Sequence, residues 1–210
     1  YEVVRLGNTI MMDVSSDATI WANISSKNRN VIRKALKNEV HIYSGRSPRL
    51  FDTFRTIYNA TMDKDHAADY YYFEPSFYQS ILNDLPHNAQ IFYAEYEGKV
   101  IAASIMLCAN GRMNYHLSGS VREYQNLAPT NLLLYEAALW GWTNGYKTLH
   151  LGGGVGAGED SLFSFKKAFN RGEPLPYYIG KKVFAPEKYE ELIRLRTDLL
   201  ESRFFPRYRA

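Results

Sequence analysis

LHLGGGVGAGEDSLFSFKKAF, residues Leu149–Phe169, is the stretch on which the reading of this chain turns. A β-rich run, Thr148 to Leu151, meets a glycine loop, and Glu159 with Asp160 opens a helix that carries two adjacent lysines among aromatics. Gly152, Gly153 and Gly154 remove the side chains that would keep a ligand from the main chain, so they are candidate binding residues. Asp160 is the expected N-cap, and the spacing predicts Leu162, Phe165 and Phe169 on one helical face with Lys166 and Lys167 pointing elsewhere. A nucleotide loop is the reading to exclude first. Gly152, Gly154 and Ala157 fit a dinucleotide fingerprint, but the loop sits late in the chain and no P-loop lysine and hydroxyl follow Gly158. Glu159 and Asp160 also place negative charge where a phosphate would bind.

The whole chain bounds the remaining choices. Its 210 residues, 46% hydrophobic and 22% charged, suit one globular domain spanning residues 1–210. Seventeen Tyr and eleven Phe exceed what a core needs, so some are expected to line a groove. A net charge of +3 does not diagnose nucleic-acid binding, although local clusters can matter. The one cysteine, Cys108, rules out an internal disulfide framework and lies in an apolar run, where it reads as a buried strand residue. No signal peptide or bilayer-length apolar run is present, and a cytoplasmic location is expected. No His, Cys and Asp spacing suggests a metal site. The sequence starts at Tyr1 rather than Met, which is read as a fragment with an upstream half.

Taken in order, Val3 to Val14 reads as an extended entry, and Ser25 or Ser26 caps a helix, NRNVIRKALKN. There Arg29, Arg33 and Lys37 recur on one face, with Ile32, Ala35 and Leu36 on the buried side. Such a stripe is either a solvated face or, for Arg29 and Arg33, a contact to phosphate. Val40 to Ser44 is a strand and Leu50 to Met62 a helix. In DYYYFEP the tyrosines Tyr70, Tyr71 and Tyr72 cannot all face inward, so Tyr71 and Tyr72 are candidates to face a cleft. Three strands follow as an antiparallel meander, with turns at Glu97-Gly98-Lys99 and Asn110-Gly111. Pro129 starts an all-round apolar helix that Gly145 ends. A further strand, the glycine loop, a short helix, closing strand material from Pro174 to Phe184 and a terminal helix, PEKYEELIRLRTDLLESR, complete the chain.

This order resembles the GNAT acyl-transfer fold, a mixed, mainly antiparallel central sheet flanked by helices in an α/β (α+β) chain. The blocks WANISSKNRNVIRKALKNEV (Trp21–Val40), YHLSGS (Tyr115–Ser120), LAPTNLLLYEAALWG (Leu127–Gly141), GYKTLHLGGG (Gly145–Gly154) and SLFSFKKAFN (Ser161–Asn170) are similar to the Fem-like branch. That branch holds the peptidoglycan-bridge aminoacyltransferases and BioF2-like acetyltransferase domains. The resemblance implies the second half of a tandem of GNAT-like domains, moving an aminoacyl group from aminoacyl-tRNA to an amine of a nucleotide- or lipid-linked muropeptide. It implies no tightly bound cofactor, no DNA, and at most peripheral membrane association through a lipid-linked substrate.

By the same resemblance, Lys166, after Phe165 in FKKAF, matches the lysine that stabilises the reaction's oxyanion, and Tyr115 joins the binding residues. The chain departs from ordinary GNAT enzymes at VREYQNLAPTNL (Val121–Leu132). No R/Q-x-x-G-x-G/A loop stands there for a coenzyme A pyrophosphate, which lowers acyl-CoA as donor. His116 and His150 are each a proton carrier or a satisfied core histidine. Glu136, nearly alone as an acid on an apolar helix, is a buried anchor or a base with raised pKa. Two alternatives stay open: an acyl-CoA N-acyltransferase on a small amine or sugar nucleotide, and a non-catalytic GNAT-like binding half.

Overall fold

A computed structural model describes residues 1–195 and 204–209. By its internal contacts the chain divides into two compact units, Thr9–Leu175 and the pairing of Tyr1–Asn8 with Pro176–Ala210.

The larger unit is built on β2 (His41–Gly45), β3 (Ala89–Tyr96), β4 (Lys99–Ala109), β5 (Arg112–Ser120), β6 (Thr148–Gly152) and the second half of β1 (Glu2–Asp13). They lie in the order β2-β3-β4-β5-β6-β1. All neighbours are antiparallel except β5 and β6. The meander forms where its turns predict. Glu97-Gly98 and Asn110-Gly111 each take positive φ at both central positions, the geometry that matches strand twist in a two-residue hairpin.

Helices cover both faces of this sheet. On one, α3 (Pro48–Lys64) and α4 (Pro75–Asp84) bury Phe51, Phe54, Tyr58, Tyr78 and Ile81 against Ile91, Ala103 and Ile105. On the other, α1 (Asp17–Asn23), α2 (Ser26–Lys37), α5 (Pro129–Thr143) and α6 (Ser161–Lys167) share a core with Phe92, Ala102, Met106 and Met113. Strand β4 is therefore buried on both sides from Ile101 to Met106, and its Cys108 is buried too. Burial pushes the Cys108 thiol pKa up. Ser16, Ser25, Ser47 and Asp160 cap α1, α2, α3 and α6 through their side chains. One expectation changes on α2. The buried stripe is Asn28, Ile32 and Ala35, while Leu36 is 50% exposed, because it lies on the flank of the wheel away from α5.

In the smaller unit the first half of β1 pairs with β7 (Leu175–Lys181). Helix α7 (Pro186–Arg194) buries Ile193, and its Tyr189 ring lies tilted against Phe205 and edge-on to Tyr208, while its hydroxyl accepts from the Arg207 N–H. The predicted terminal helix extends past α7 into residues 196–203, which lie outside the described residues.

Candidate active site

Strands β5 and β6 begin side by side and then part. Arg112, Met113 and Asn114 pair with Thr148, Leu149 and His150, and no pairing joins the two strands beyond that. A bulge on β5 sits at the parting. Met106 of β4 opposes Tyr115 and Ile105 opposes Leu117, so His116 is the extra residue. The insertion reverses the side-chain alternation. Met113 and Tyr115 pack on the α5 side, and Leu117 packs on the α3 side.

The gap is a cavity of about 870 Å³ within the larger unit. Its walls are Tyr115 to Ser120 of β5, the α5 N-terminus from Ala128 to Asn131, the loop from Gly153 to Gly156, and Leu162, Phe165 and Lys166 of α6. It also reaches Tyr58, Thr61, Met62 and the end of α3, and Tyr71 in the turn that follows. Because α3 and α5 cover opposite faces of the sheet, the cavity draws its walls from both. Close packing on the α3 side depends on Gly119, where a Cβ would lie 2.8 Å from the Ile57 carbonyl oxygen and from the Tyr58 Cα.

Lys166 is the buried cation of this cavity; Lys64, which also lines it, is paired with Asp65 at 3.1 Å. The Lys166 side chain is only 8% exposed, its Nζ donates to the Gly153 carbonyl at 2.6 Å, and the ammonium lies 6.0 Å from the centre of the Tyr115 ring. Desolvation pushes its pKa down, and the Asp160 carboxylate partly restores it. Asp160 in turn accepts from the N–H groups of Phe163 (2.8 Å) and Val155 (2.9 Å), which clamps the loop to α6 and holds the carboxyl below its usual range. Gly152 takes φ +83°, and a Cβ there would meet the Lys166 ammonium at 3.3 Å. Lys167 points away and donates to the carbonyls of Asn170 and Gly172.

The helix wheel drawn from the sequence is thus rotated. Phe163, Lys166 and Phe169 face inward, while Leu162 is 37% exposed on the cavity wall. Phe163 and Phe169 carry the hydrophobic burial, and the lysine three residues after Phe163 goes inward with them.

The other candidates divide into two groups. Tyr71, Tyr115, His116, Gly153, Gly154 and Phe165 line the cavity with Lys166. The His116 residue is open to the cavity, yet its ring loses enough water that its pKa is lowered. Tyr115 is pushed up by desolvation, partly offset by bonds to Ser118 and Ser104. Tyr58, which sequence reasoning missed, donates to the Tyr71 carbonyl at 3.0 Å, and burial pushes its phenol to about 12.

Glu136, Arg29, Arg33, Tyr72 and Gly152 are not among the lining residues. Glu136 is half-buried on α5, and desolvation raises its pKa. Arg29 and Arg33 lie over the Trp21 ring. Tyr72 turns to Asp63, donating at 2.8 Å. His150 is bonded on both nitrogens, to Thr9 Oγ1 at 2.6 Å and Asn114 Oδ1 at 3.2 Å. A neutral ring suits both partners, and desolvation together with nearby Lys166 keeps its pKa low.

A gap between two parallel strands, walled from both faces and holding one desolvated cation, suits an acyl group meeting a nucleophile. The model of the Acetyltransferase (GNAT) domain family matches residues 26–167. The chain belongs to that family. Within it, the chain is similar to the Fem-like branch: it is 30% identical over 173 residues to UDP-N-acetylmuramoylpentapeptide-lysine N(6)-alanyltransferase of Weissella viridescens. That match covers 80% of this chain and 50% of the relative, so the chain spans about half of the relative's length. Among solved structures, FemX matches with a TM-score of 0.66 at 15% identity, covering 85% of this chain and 60% of that one. L-PGS from Bacillus licheniformis matches at 0.61 and 14% identity, covering 92% and 66%. At those identities the likeness is one of fold. Among the described residues no helix is long and apolar enough to cross a membrane.

Proposed function

We propose that this GNAT-family chain is an acyltransferase that moves an aminoacyl group from aminoacyl-tRNA to an amine of a peptidoglycan precursor. The observation that carries the reading is the single desolvated ammonium of Lys166 in the gap between β5 and β6. The similarity to the alanyltransferase supports the choice of substrates. On this reading the chain is one half of a tandem of such domains, acting in the cytoplasm.

The acceptor amine attacks the carbonyl carbon of the aminoacyl ester, and the carbonyl oxygen becomes an oxyanion beside Lys166. A fixed ammonium in a partly dry cavity stabilises that charge more than water does and needs no reorganisation during the reaction. The tetrahedral centre then collapses, an amide forms, and the ester's ribose oxygen leaves as a hydroxyl, taking up the proton that the amine gives up. The amine's proton must first go to a base. His116 lines the cavity with its pKa lowered, so it is neutral near pH 7 and can accept that proton. Tyr71 and Tyr115 border the reacting groups, and Phe165 packs beside the lysine. Glu136 is not among the residues that line this cavity, and this reading gives it no role in the transfer.

The donor is the choice to test. The α5 N-terminus borders the cavity without a side-chain cap, so a coenzyme A phosphate also has backbone N–H groups to approach there. Transfer to a lysine-containing UDP-muropeptide is measured with aminoacyl-tRNA and with acetyl-CoA, each with wild-type protein and Lys166→Ala. Transfer from aminoacyl-tRNA that collapses in the variant is the expected result. Transfer from acetyl-CoA alone overturns the reading.

A further inference from the structure

The outer surface of α2 is strongly basic. Its twelve residues include Lys27, Arg29, Arg33, Lys34 and Lys37 and no acid. At 100° per residue the five cations spread over the side opposite buried Asn28, Ile32 and Ala35. Among the described residues, the ion pairs Arg55–Asp52, Lys64–Asp65 and Lys188–Glu191 involve none of them.

Helix stability does not account for this charge. Lys34 and Lys37 suit the negative end of the helix dipole, but Lys27 and Arg29 sit at its positive end. Arg29, Arg33 and Lys37 also repel one another at i,i+4 spacing. Two of the cations are held in place: the Arg33 and Arg29 guanidinium carbons lie 5.1 and 5.9 Å from the centre of the Trp21 ring. Trp21 is itself packed on Tyr135 at 5.2 Å. Stacked guanidinium groups lose less freedom on meeting a phosphate than free side chains do.

The first turn of the helix is also bonded to a residue of the cavity wall. The Ser25 N–H donates to the Ala168 carbonyl just after α6, and the Asn131 side chain donates to Asn28 Oδ1 at 2.7 Å. Asn131 lines the cavity at the α5 N-terminus. From this junction α2 runs about 18 Å, at 1.5 Å per residue. That length exceeds the span of one pyrophosphate and calls for a chain of phosphates.

We infer that the outer face of α2 docks the phosphodiester backbone of an RNA donor, whose aminoacylated end enters the cavity past Asn131 to reach Lys166. The inference rests on the aminoacyl-tRNA reading above and adds the surface that holds the donor. An anionic membrane is the less suitable occupant, because Leu36 is the one large apolar side chain this helix exposes among the described residues.

The test compares wild-type protein with the triple variant Arg33→Gln, Lys34→Gln, Lys37→Gln, after thermal melts have shown equal folding. Binding of uncharged tRNA is measured across a salt series. The expected result is a log K against log salt slope reduced by about 2–3 in the variant, at roughly 0.7–0.9 for each phosphate no longer neutralised. A second readout compares aminoacyl-tRNA with the aminoacyl ester of a terminal dinucleotide, which is too short to reach Lys37. The variant is expected to raise KM for the long donor at least tenfold more than for the short one. An unchanged slope, or equal losses with both donors, overturns the inference while leaving the aminoacyl-tRNA reading in place. Wild-type transfer from acetyl-CoA alone overturns that reading and, with it, the role of α2 in holding an RNA donor. Binding to phosphatidylglycerol vesicles that the variant abolishes, with no binding of tRNA, also overturns it.

Discussion

Lys166 and the cations of α2 carry the same charge under opposite conditions. Lys166 is 8% exposed, bonded to one carbonyl, and its pKa is lowered because it has lost water. On α2, Arg33, Lys34 and Lys37 stand in solvent. A desolvated charge acts strongly over a few ångströms on an oxygen that develops beside it. A row of solvated charges acts weakly at each site but over a long surface, and salt screens it. On the proposed reading the contrast separates chemistry from capture, and it can be broken by experiment.

The largest effect is expected from Lys166→Ala, which should lower kcat by about 10²–10³-fold, the cost of removing one oxyanion partner. Lys166→Met serves as the stability control. Removing a buried ammonium should leave Tm unchanged or raised while activity falls, so a large loss of Tm with activity retained would make Lys166 a structural residue.

A smaller loss is expected when the lysine stays and its support moves. A Cβ at Gly154 would run into the Gly158 carbonyl oxygen and the Asp160 carboxylate. Gly154→Ala should lower kcat about tenfold, short of the roughly hundredfold that a 1 Å misplacement can cost. Unchanged kcat would show that the clamp does not set the position of Lys166.

The pH profile sharpens the comparison further. Burial lowers the Lys166 pKa, so the alkaline limb of kcat should fall below the ordinary lysine value of 10.5. Asp160 raises that pKa, so Asp160→Asn should move the limb to still lower pH. For stability the sign is positive with rising pH. The unfolded lysine binds a proton that the folded one has lost between the folded and unfolded pKa values, so stability gains there. Asp160 works at the acid end. Its depressed carboxyl contributes stability above the unfolded value, and that contribution is lost as pH falls through the folded pKa. A limb that does not move in Asp160→Asn would place another group in control of it.

The smallest expected effect is none. Lys166→Ala should bind uncharged tRNA with the wild-type salt slope, since one buried cation contributes little to counterion release. A reduced slope would merge the two regions into one binding surface.

Much of the frame is legible because it is written in local chemistry. Asn110-Gly111 and Glu97-Gly98 take the positive φ that a two-residue hairpin needs, Pro129 and Gly145 bound α5, and Asp160 caps α6. The α6 wheel is not legible in the same way, because two turns of helix leave periodicity ambiguous between neighbouring faces. Arg29, Arg33 and Tyr72 are plausible cavity residues by type, but they turn to Trp21 and Asp63. Tyr58 carries no signal of its own in the sequence, since an aromatic on a helix stripe reads as core.

By itself, then, the sequence determined the turns, the caps, the helix and strand order, and the resemblance that pointed to Lys166. Each follows from residues within a few positions of one another, or from a pattern of residue types along the chain. Only the tertiary structure decided where β5 and β6 part, that Lys166 loses its water, and that the first turn of α2 is bonded to the cavity wall. Those features depend on contacts between distant segments: β4 opposite the bulge at His116, Gly153 against Lys166, and Asn28 bonded to Asn131. Burial and its effect on charge exist only once such segments have met.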